Sequence, residues 1–173
     1  PCIWKEGDVW HAISGRITGA ARPDALDPRT GGRDVAYLFT SRDLEHWDFR
    51  GEFCRGGEFT NPGEDCACPD FFAIGGSHML LFLSHNQGAQ YYIGDYAGGR
   101  FTPRRHGRMN FTVPLISRLG ACGDLAAPIA WKGPGERRTV IAWAPEGRSF
   151  EAMQLAGWAG VMSLPRDISL LAD

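Results

Sequence analysis

The sequence has little excess charge of either sign, and it has no long apolar run. The first absence argues against binding to nucleic acid or an anionic membrane surface, and the second against a membrane-spanning helix. Its 18 Lys and Arg residues nearly balance its 20 Asp and Glu residues, and the net charge is -2 at pH 7. Without a large positive field, the chain is not expected to bind nucleic acid or an anionic membrane surface. No apolar stretch approaches the ~20 residues of a membrane-spanning helix. No signal segment is visible, and the sequence assigns no compartment.

Helical periodicity is also scarce, because Gly or Pro interrupts almost every window long enough to hold a helix. The chain contains 23 Gly and 11 Pro residues, together with ten Phe, six Trp and four Tyr. Aromatic residues favour strands, and Gly and Pro favour tight turns. This composition predicts an all-β protein.

Short apolar and aromatic runs recur in groups of four predicted strands. The first group covers residues 2–5, 9–14, 34–41 and 47–53; the second covers 67–74, 78–84, 90–95 and a strand from 100; the third covers 125–131, 138–143, 158–163 and 168–170. A four-strand unit that restarts about every fifty residues indicates a β-propeller, here with about three blades. A β-sandwich is the alternative, since its strands are also regularly spaced.

Five cysteines, at positions 2, 54, 66, 68 and 122, give an odd count that argues against a full disulfide framework. Cys66 and Cys68 would share one face of a regular strand. A Cys-x-Cys pair is a weak signal for zinc, even with His78, His85 or Cys54 as further ligands. We therefore expect buried reduced thiols, no metal and no cofactor.

The densest chemistry lies in residues 64–72, where nine positions hold three carboxylates, two thiols, a proline and two aromatic rings. Acidic groups are too costly to bury without partners, so such a cluster usually lies at a cleft or a loop mouth. Glu64 and Asp65 can alternatively be solvated turn residues, because they follow Asn61-Pro62-Gly63 directly.

Residues 67–72 read Ala-Cys-Pro-Asp-Phe-Phe, and this segment resembles the Glu-Cys-Pro-Asp acid/base motif of glycoside hydrolase family 32, the invertases, levanases and inulinases. Further segments match the family in the same order. They are the opening residues 1–4, residues 37–41 with Asp43, Leu44 and Trp47, residues 90–94 with Phe101, and residues 157–166, which are similar to the family's Gly-Trp-Ser-Gly-x-x-Ser-Leu-Pro-Arg run. The resemblance therefore covers most of the chain.

The resemblance implies a five-bladed β-propeller with a funnel at its axis. It also implies retaining hydrolysis of β-fructofuranosides of the sucrose, levan or inulin type, through an Asp nucleophile, a Glu acid/base and a stabilising Asp. The family's Trp-x-Asn-Asp-Pro-Asn-Gly nucleophile motif is absent, and the stabilising Asp would precede Pro1. We expect residues 1–173 to be a fragment of a single propeller glycosidase domain, with the nucleophile-bearing first blade and the last blade outside it.

Ala67 stands where the resemblance implies the catalytic Glu. On an extended strand, Asp65 would point to the same face as residue 67, so we predict Asp65 as the catalytic acid/base. Glu64 is the second catalytic candidate, because a bulge near Gly63 would exchange the two faces.

Five residues are predicted to bind a carbohydrate substrate. Cys68 and Asp70 match the family motif, and His85 opens a polar loop after an apolar strand, where blade-end loops commonly carry function. Trp143 and Glu146 offer an aromatic platform beside a carboxylate. Besides the substrate, the predicted partners are the missing blades of the propeller itself.

Two further segments are predicted to have structural roles rather than to form part of a site. Residues 41–47, which contain a Ser-x-Asp pattern, are predicted to form a turn that Trp47 anchors on the sheet. The basic run 104–108 is predicted to be a solvated edge.

Three functions follow from these residues. The first is a β-fructofuranosidase whose acid has moved to residue 65 or 64. The second is a carbohydrate-binding propeller without catalysis, and the third is a related furanosidase such as an arabinan-active enzyme.

Overall fold

The computed structural model describes residues 2–18, 32–85, 87–109, 125–145 and 147–171. Almost all of its regular structure is β-strand, as the composition predicts, and none of the described helices could cross a membrane. The elements are β1 (Cys2–Glu6), β2 (Val9–Thr18), β3 (Arg33–Ser41), β4 (Asp48–Arg55), β5 (Ala67–Ile74), β6 (Ser77–Ser84), β7 (Gly88–Ala97), β8 (Arg100–Arg108), β9 (Ala126–Lys132), β10 (Arg138–Ala144), α1 (Phe150–Ala156), β11 (Val161–Met162) and β12 (Arg166–Ile168).

The strands form three antiparallel four-stranded sheets, and these are the blades of a partial β-propeller. The first sheet has the order β1-β2-β3-β4 and the second the order β5-β6-β7-β8. In the third sheet, β9 pairs with one edge of β10, while β11 and β12 pair with its other edge as two short pieces. The first two blades are meanders, in which neighbouring strands are consecutive in the sequence.

Tight turns set the register of these meanders. Gly7 lies between β1 and β2 with a φ of 56°, and Gly75 and Gly76 connect β5 to β6 with φ values of 53° and 79°. Such positive φ values suit glycine, which has no Cβ to clash with the backbone. The predicted turn at residues 41–47 is confirmed, because the Ser41 hydroxyl accepts hydrogen bonds from the backbone N–H groups of Asp43 and Leu44.

The core lies between neighbouring blades rather than inside one sheet. Phe71, Leu80 and Phe82 pack toward the first blade with Phe53. Successive side chains on a strand face opposite ways, so Phe72, Met79 and Leu81 pack toward Val140 of the third blade instead. This explains the uninterrupted apolar run of β6, because both of its faces are buried.

The structure differs from the sequence prediction at two places near residues 150–163. A short helix, α1, was not anticipated; Ser149 caps its first turn, and Gly157 ends it with a φ of 74°. The predicted strand at 158–163 shortens to Val161–Met162, because Gly160 also adopts a positive φ of 65°. A helix this short leaves almost no periodic pattern in the sequence.

Candidate functional site

The first strands of the three sheets, β1, β5 and β9, begin around one crevice. It has a volume of about 400 Å³, and its lining consists of Cys2, Cys68, Pro69, Asp70 and residues 127–130. Because β5 contacts β1 on one side and β9 on the other, residues far apart in sequence meet here. The Cys-Pro-Asp segment therefore lies where three blades converge.

Two residues of the crevice have strained backbones. Cys68 has a φ of 47° and Ala127 a φ of 45°, values that side chains with a Cβ rarely adopt. Such conformations cost about 1–3 kcal/mol each and cluster at functional sites. The strain at Cys68 accompanies a shift of register between Ala67 and Asp70, where β5 departs from regular pairing with β6.

This irregularity corrects the prediction that Cys66 and Cys68 share a face. Cys66 is buried in the core with Ile13, whereas Cys68 is exposed in the crevice. The strand begins only at Ala67, so strand alternation does not extend back to residue 66. The expected buried thiols are confirmed at Cys54 and Cys66, where burial raises both pKa values, but not at Cys68. Cys122 lies outside the described residues.

Asp70 links two blades at the crevice. Its Oδ2 accepts a hydrogen bond from the backbone N–H of Ala130, with a donor–acceptor distance of 2.7 Å. On the other side, the Cys2 thiol lies 3.4 Å from the backbone nitrogen of Phe71, which donates to it. Burial raises the pKa of Cys2 to about 11, with a smaller contribution from Asp70, so this thiol is neutral at pH 7.

Glu64 is buried and is held by an arginine from the far end of its blade. Arg108 donates to both carboxylate oxygens, at 2.6 and 3.0 Å, and Gln90 and the backbone N–H of Asn61 also donate to them. Burial works to raise the pKa of Glu64, but these hydrogen bonds outweigh it, and the pKa is lowered. Glu64 is thus an ionised carboxylate in a fixed network.

Arg108 corrects the view of residues 104–108 as a solvated edge. The segment belongs to β8, and although Arg104 and Arg105 are exposed, the Arg108 side chain is only 29% exposed. In the same segment, His106 Nε2 lies 2.7 Å from Gln90 Oε1. Arg108 and His106 were not identified from the sequence as part of the site. The available signal was Glu64, because an acid that becomes buried requires a cationic partner.

Asp65 is also buried, and both of its oxygens face His85. Oδ1 accepts the backbone N–H of His85 at 2.9 Å, and Oδ2 lies 2.8 Å from the ring nitrogen Nδ1. The side chain of His85 remains 41% exposed, against 9% for Asp65. The hydrogen bond that the His85 ring donates to Asp65 raises the pKa of His85, and partial burial opposes it.

Ala67 and Trp143 belong to one small apolar cluster. Ala67 pairs with Leu83 across the strands, and the two pack with Ala126 and the half-buried Trp143 ring. The structure thus brings Cys68 and Asp70 to the crevice, and Asp65 and His85 to the end of the β5–β6 ladder. Glu146 lies outside the described residues.

The family model of the glycosyl hydrolases family 32 N-terminal domain matches residues 24–173. The sucrose-6-phosphate hydrolase of Escherichia coli is 29% identical over 177 residues, covering 98% of this chain and 33% of that protein. The cell wall β-fructofuranosidase of Zea mays is 26% identical over 190 residues, covering 96% of this chain and 28% of that protein. The chain therefore spans about a third of the length of these curated relatives.

Solved structures share the fold. A variant of the Bombyx mori family 32 β-fructofuranosidase in complex with sucrose superimposes with a TM-score of 0.72 at 21% identity, covering 98% of this chain and 34% of that one. An endo-arabinase from Bacteroides thetaiotaomicron gives a TM-score of 0.55 at 15% identity, covering 98% of this chain and 50% of that one. At such identities these likenesses describe the propeller architecture alone.

Proposed function

Because this chain belongs to family 32 of the glycosyl hydrolases, through that family's N-terminal domain, we propose that the protein carrying it hydrolyses β-fructofuranosides. The observation that carries the proposal is the crevice where β1, β5 and β9 begin, which holds the Cys-Pro-Asp segment in a strained backbone. Relatives named as sucrose-6-phosphate hydrolases and a β-fructofuranosidase support this choice of substrate class.

The fructosyl unit binds in the crevice, with Asp70 and Cys68 at its wall. A sugar offers hydroxyl groups, and a half-buried carboxylate beside an apolar wall can accept hydrogen bonds from them with specificity. Trp143 provides an aromatic face next to Ala67, where a sugar ring can pack. Glu146 remains a proposed contact to the sugar, because it follows Trp143 closely in the sequence.

Glycoside hydrolysis needs a proton for the departing oxygen. We assign the acid/base role to the Asp65 position rather than to Glu64, because Glu64 is committed to Arg108 as a fixed carboxylate. A group that remains ionised cannot deliver a proton. In the retaining mechanism that the family resemblance implies, a second carboxyl group attacks the fructosyl carbon.

Several apolar side chains of the third sheet support a further proposal, that this sheet packs against another part of the propeller. Ile129, Trp131, Val161 and Met162 are all exposed. A propeller closes through a ring of blades, each of which covers the face of its neighbour.

A carbohydrate-binding propeller without catalysis is the second candidate, and the observation that favours it is the environment of Ala67. This residue packs with Leu83, Ala126 and Trp143, so the place of the family acid is occupied by an apolar contact. A binder would retain the crevice and the aromatic platform without delivering a proton.

One experiment separates the two functions. The whole protein is incubated with sucrose, sucrose 6-phosphate, levan and inulin, and free fructose is measured together with binding by calorimetry. We expect fructose to be released over many turnovers from at least one of these substrates. Saturable binding without fructose release would instead establish the binder, and neither binding nor release would refute both functions.

A further inference from the structure

We propose that His85 is the group that exchanges a proton with the substrate, and that Asp65 acts through it as a positioning residue. This inference rests on the proposed hydrolysis of β-fructofuranosides. It replaces a single carboxyl group with a carboxylate–imidazole pair at the end of the β5–β6 ladder.

Both oxygens of Asp65 are already engaged with His85. Oδ1 accepts the His85 backbone N–H, and Oδ2 faces Nδ1 of the same residue at 2.8 Å. A proton between Oδ2 and Nδ1 lies inside the pair, whichever atom holds it. With the Asp65 side chain only 9% exposed, the more accessible partner of the pair is His85.

The contact with Asp65 also orients the imidazole ring of His85. Because Nδ1 is engaged with the carboxylate, Nε2 is the nitrogen that a substrate oxygen can meet. A carboxylate that binds one ring nitrogen fixes both the tautomer and the ring orientation, as in other acid/base pairs of this kind. The raised pKa of His85 keeps more of the imidazolium form at neutral pH.

The Asp65–His85 pair also lies near the position of the family's acid. Ala67, in the place of the family's acid, pairs with Leu83; Asp65 lies two residues before Ala67, and His85 lies two residues after Leu83. Two residues of chain span at most about 7 Å. The pair therefore lies close to the position of the family's acid, on the blade whose first strand opens the crevice. Trp143 packs in the apolar cluster that contains Ala67.

The chemistry balances without a metal or a redox partner. Nε2–H of the His85 imidazolium gives its proton to the glycosidic oxygen as the bond between that oxygen and the fructosyl carbon breaks. A carboxylate nucleophile bonds to the carbon. Neutral His85 then takes a proton from water, the water oxygen bonds to the carbon, and the carboxylate leaves.

The test compares His85→Gln and Asp65→Asn with the parent, in the whole protein, on sucrose and on an aryl β-fructofuranoside. We expect His85→Gln to lower kcat on sucrose by about 10²–10⁴-fold, the usual value of a positioned general acid, with little change in KM. The loss on the aryl fructoside should be much smaller, since a good leaving group needs little protonation. Asp65→Asn should follow the same pattern, and the double variant should lose little more than His85→Gln alone, because the two residues act as one unit.

His46→Gln is the matched control. His46 Nδ1 also lies 2.8 Å from a carboxylate oxygen, that of Asp43, but on an exposed turn of the first blade. The His46→Gln variant should leave the activity on sucrose and on the aryl fructoside unchanged. Unfolding temperatures should verify that every variant is folded.

Three outcomes overturn the inference. If His85→Gln keeps full activity on sucrose, His85 is not the proton donor, and the proposed hydrolysis still stands. If His85→Gln loses the same activity on both substrates, the role of His85 is structural. If His85→Gln fails to fold, Asp65→Asn decides by the same substrate contrast. A parent protein that hydrolyses neither substrate refutes the proposed function itself, and this inference with it.

Discussion

At residue 64, a carboxylate is buried and yet held ionised. Arg108 supplies a bidentate contact, and Gln90 and a backbone N–H complete the set of donors. The same blade interface holds Asp34, whose pKa burial raises even though Thr60 and Tyr92 donate hydrogen bonds to it. The difference between the two acids is a cation, because neutral donors alone do not offset the cost of burial at Asp34.

Arg108→Met should therefore destabilise the protein by about 1–3 kcal/mol at pH 7, since it leaves a buried carboxylate without its main partner. The pKa of Glu64 is lowered from its ordinary value of 4.5, so its contribution to stability is complete above pH 4.5 and is lost as the pH falls through the folded pKa. The difference between parent and variant should shrink in acid. Denaturant unfolding at several pH values measures it.

Arg104→Met is the control for this comparison. Arg104 pairs with Asp95, but both side chains are more than half exposed, and exposed pairs contribute about 0–1 kcal/mol. Equal destabilisation by the two arginine variants would contradict the assignment of Arg108 as the structural partner of Glu64.

The segment from α1 to β11 contacts the candidate site, because the backbone of Gly160 lies close to the Trp143 side chain. Gly160 has a φ of 65°, and a Cβ placed on it would lie 2.0 Å from Nε1 of Trp143. Gly157, at the end of α1, has a similar φ of 74°, but a Cβ there would meet nothing within 4 Å. The two glycines thus share a backbone requirement and differ in their contact with the indole ring.

Gly160→Ala should displace Trp143 and raise the KM of the whole protein for sucrose, whereas Gly157→Ala should leave KM unchanged. Both variants should lose about 1–2 kcal/mol of stability, because an alanine in the left-handed region is strained. Steady-state kinetics and thermal unfolding measure the two effects. The same KM in both variants would exclude Trp143 as the sugar platform.

The strands of the first two blades were predictable from sequence because alternation and apolar runs report burial directly, as in β6. The surroundings of Asp65 could not be predicted from the sequence. The strand begins at Ala67 rather than before Asp65, and the partner of Asp65 is His85, twenty residues further along the chain. Pairings of this kind depend on the register of β5 and β6 and on the irregularity near Cys68, which leave no periodic pattern.

In the whole molecule, apolar burial is uneven among the blades. Both faces of β6 are covered, whereas the third sheet exposes Ile129, Trp131, Val161 and Met162, each more than 40% exposed. When exposed apolar side chains form a contiguous surface, that surface marks an interaction site or drives association.

The 173-residue chain studied alone should therefore associate as its concentration rises. Changing Ile129 and Trp131 to lysine should suppress the association, because charges on an exposed strand oppose close packing. Leu44→Lys, on an exposed turn of the first blade, should not. Sedimentation velocity provides the measurement, and a monomer at every concentration would contradict the assignment of this face.

A crystal structure of the whole parent protein, with sucrose trapped by brief soaking and cooling so that Asp65 still holds His85, tests the proposed mechanism most directly. We expect a fructosyl ring in the crevice where β1, β5 and β9 begin, with Asp70 within hydrogen-bonding distance of a hydroxyl group. We also expect His85 Nε2 to face the glycosidic oxygen, at a distance of about 3 Å. Sucrose bound away from this crevice, or a His85 ring out of reach of the glycosidic bond, would contradict this mechanism.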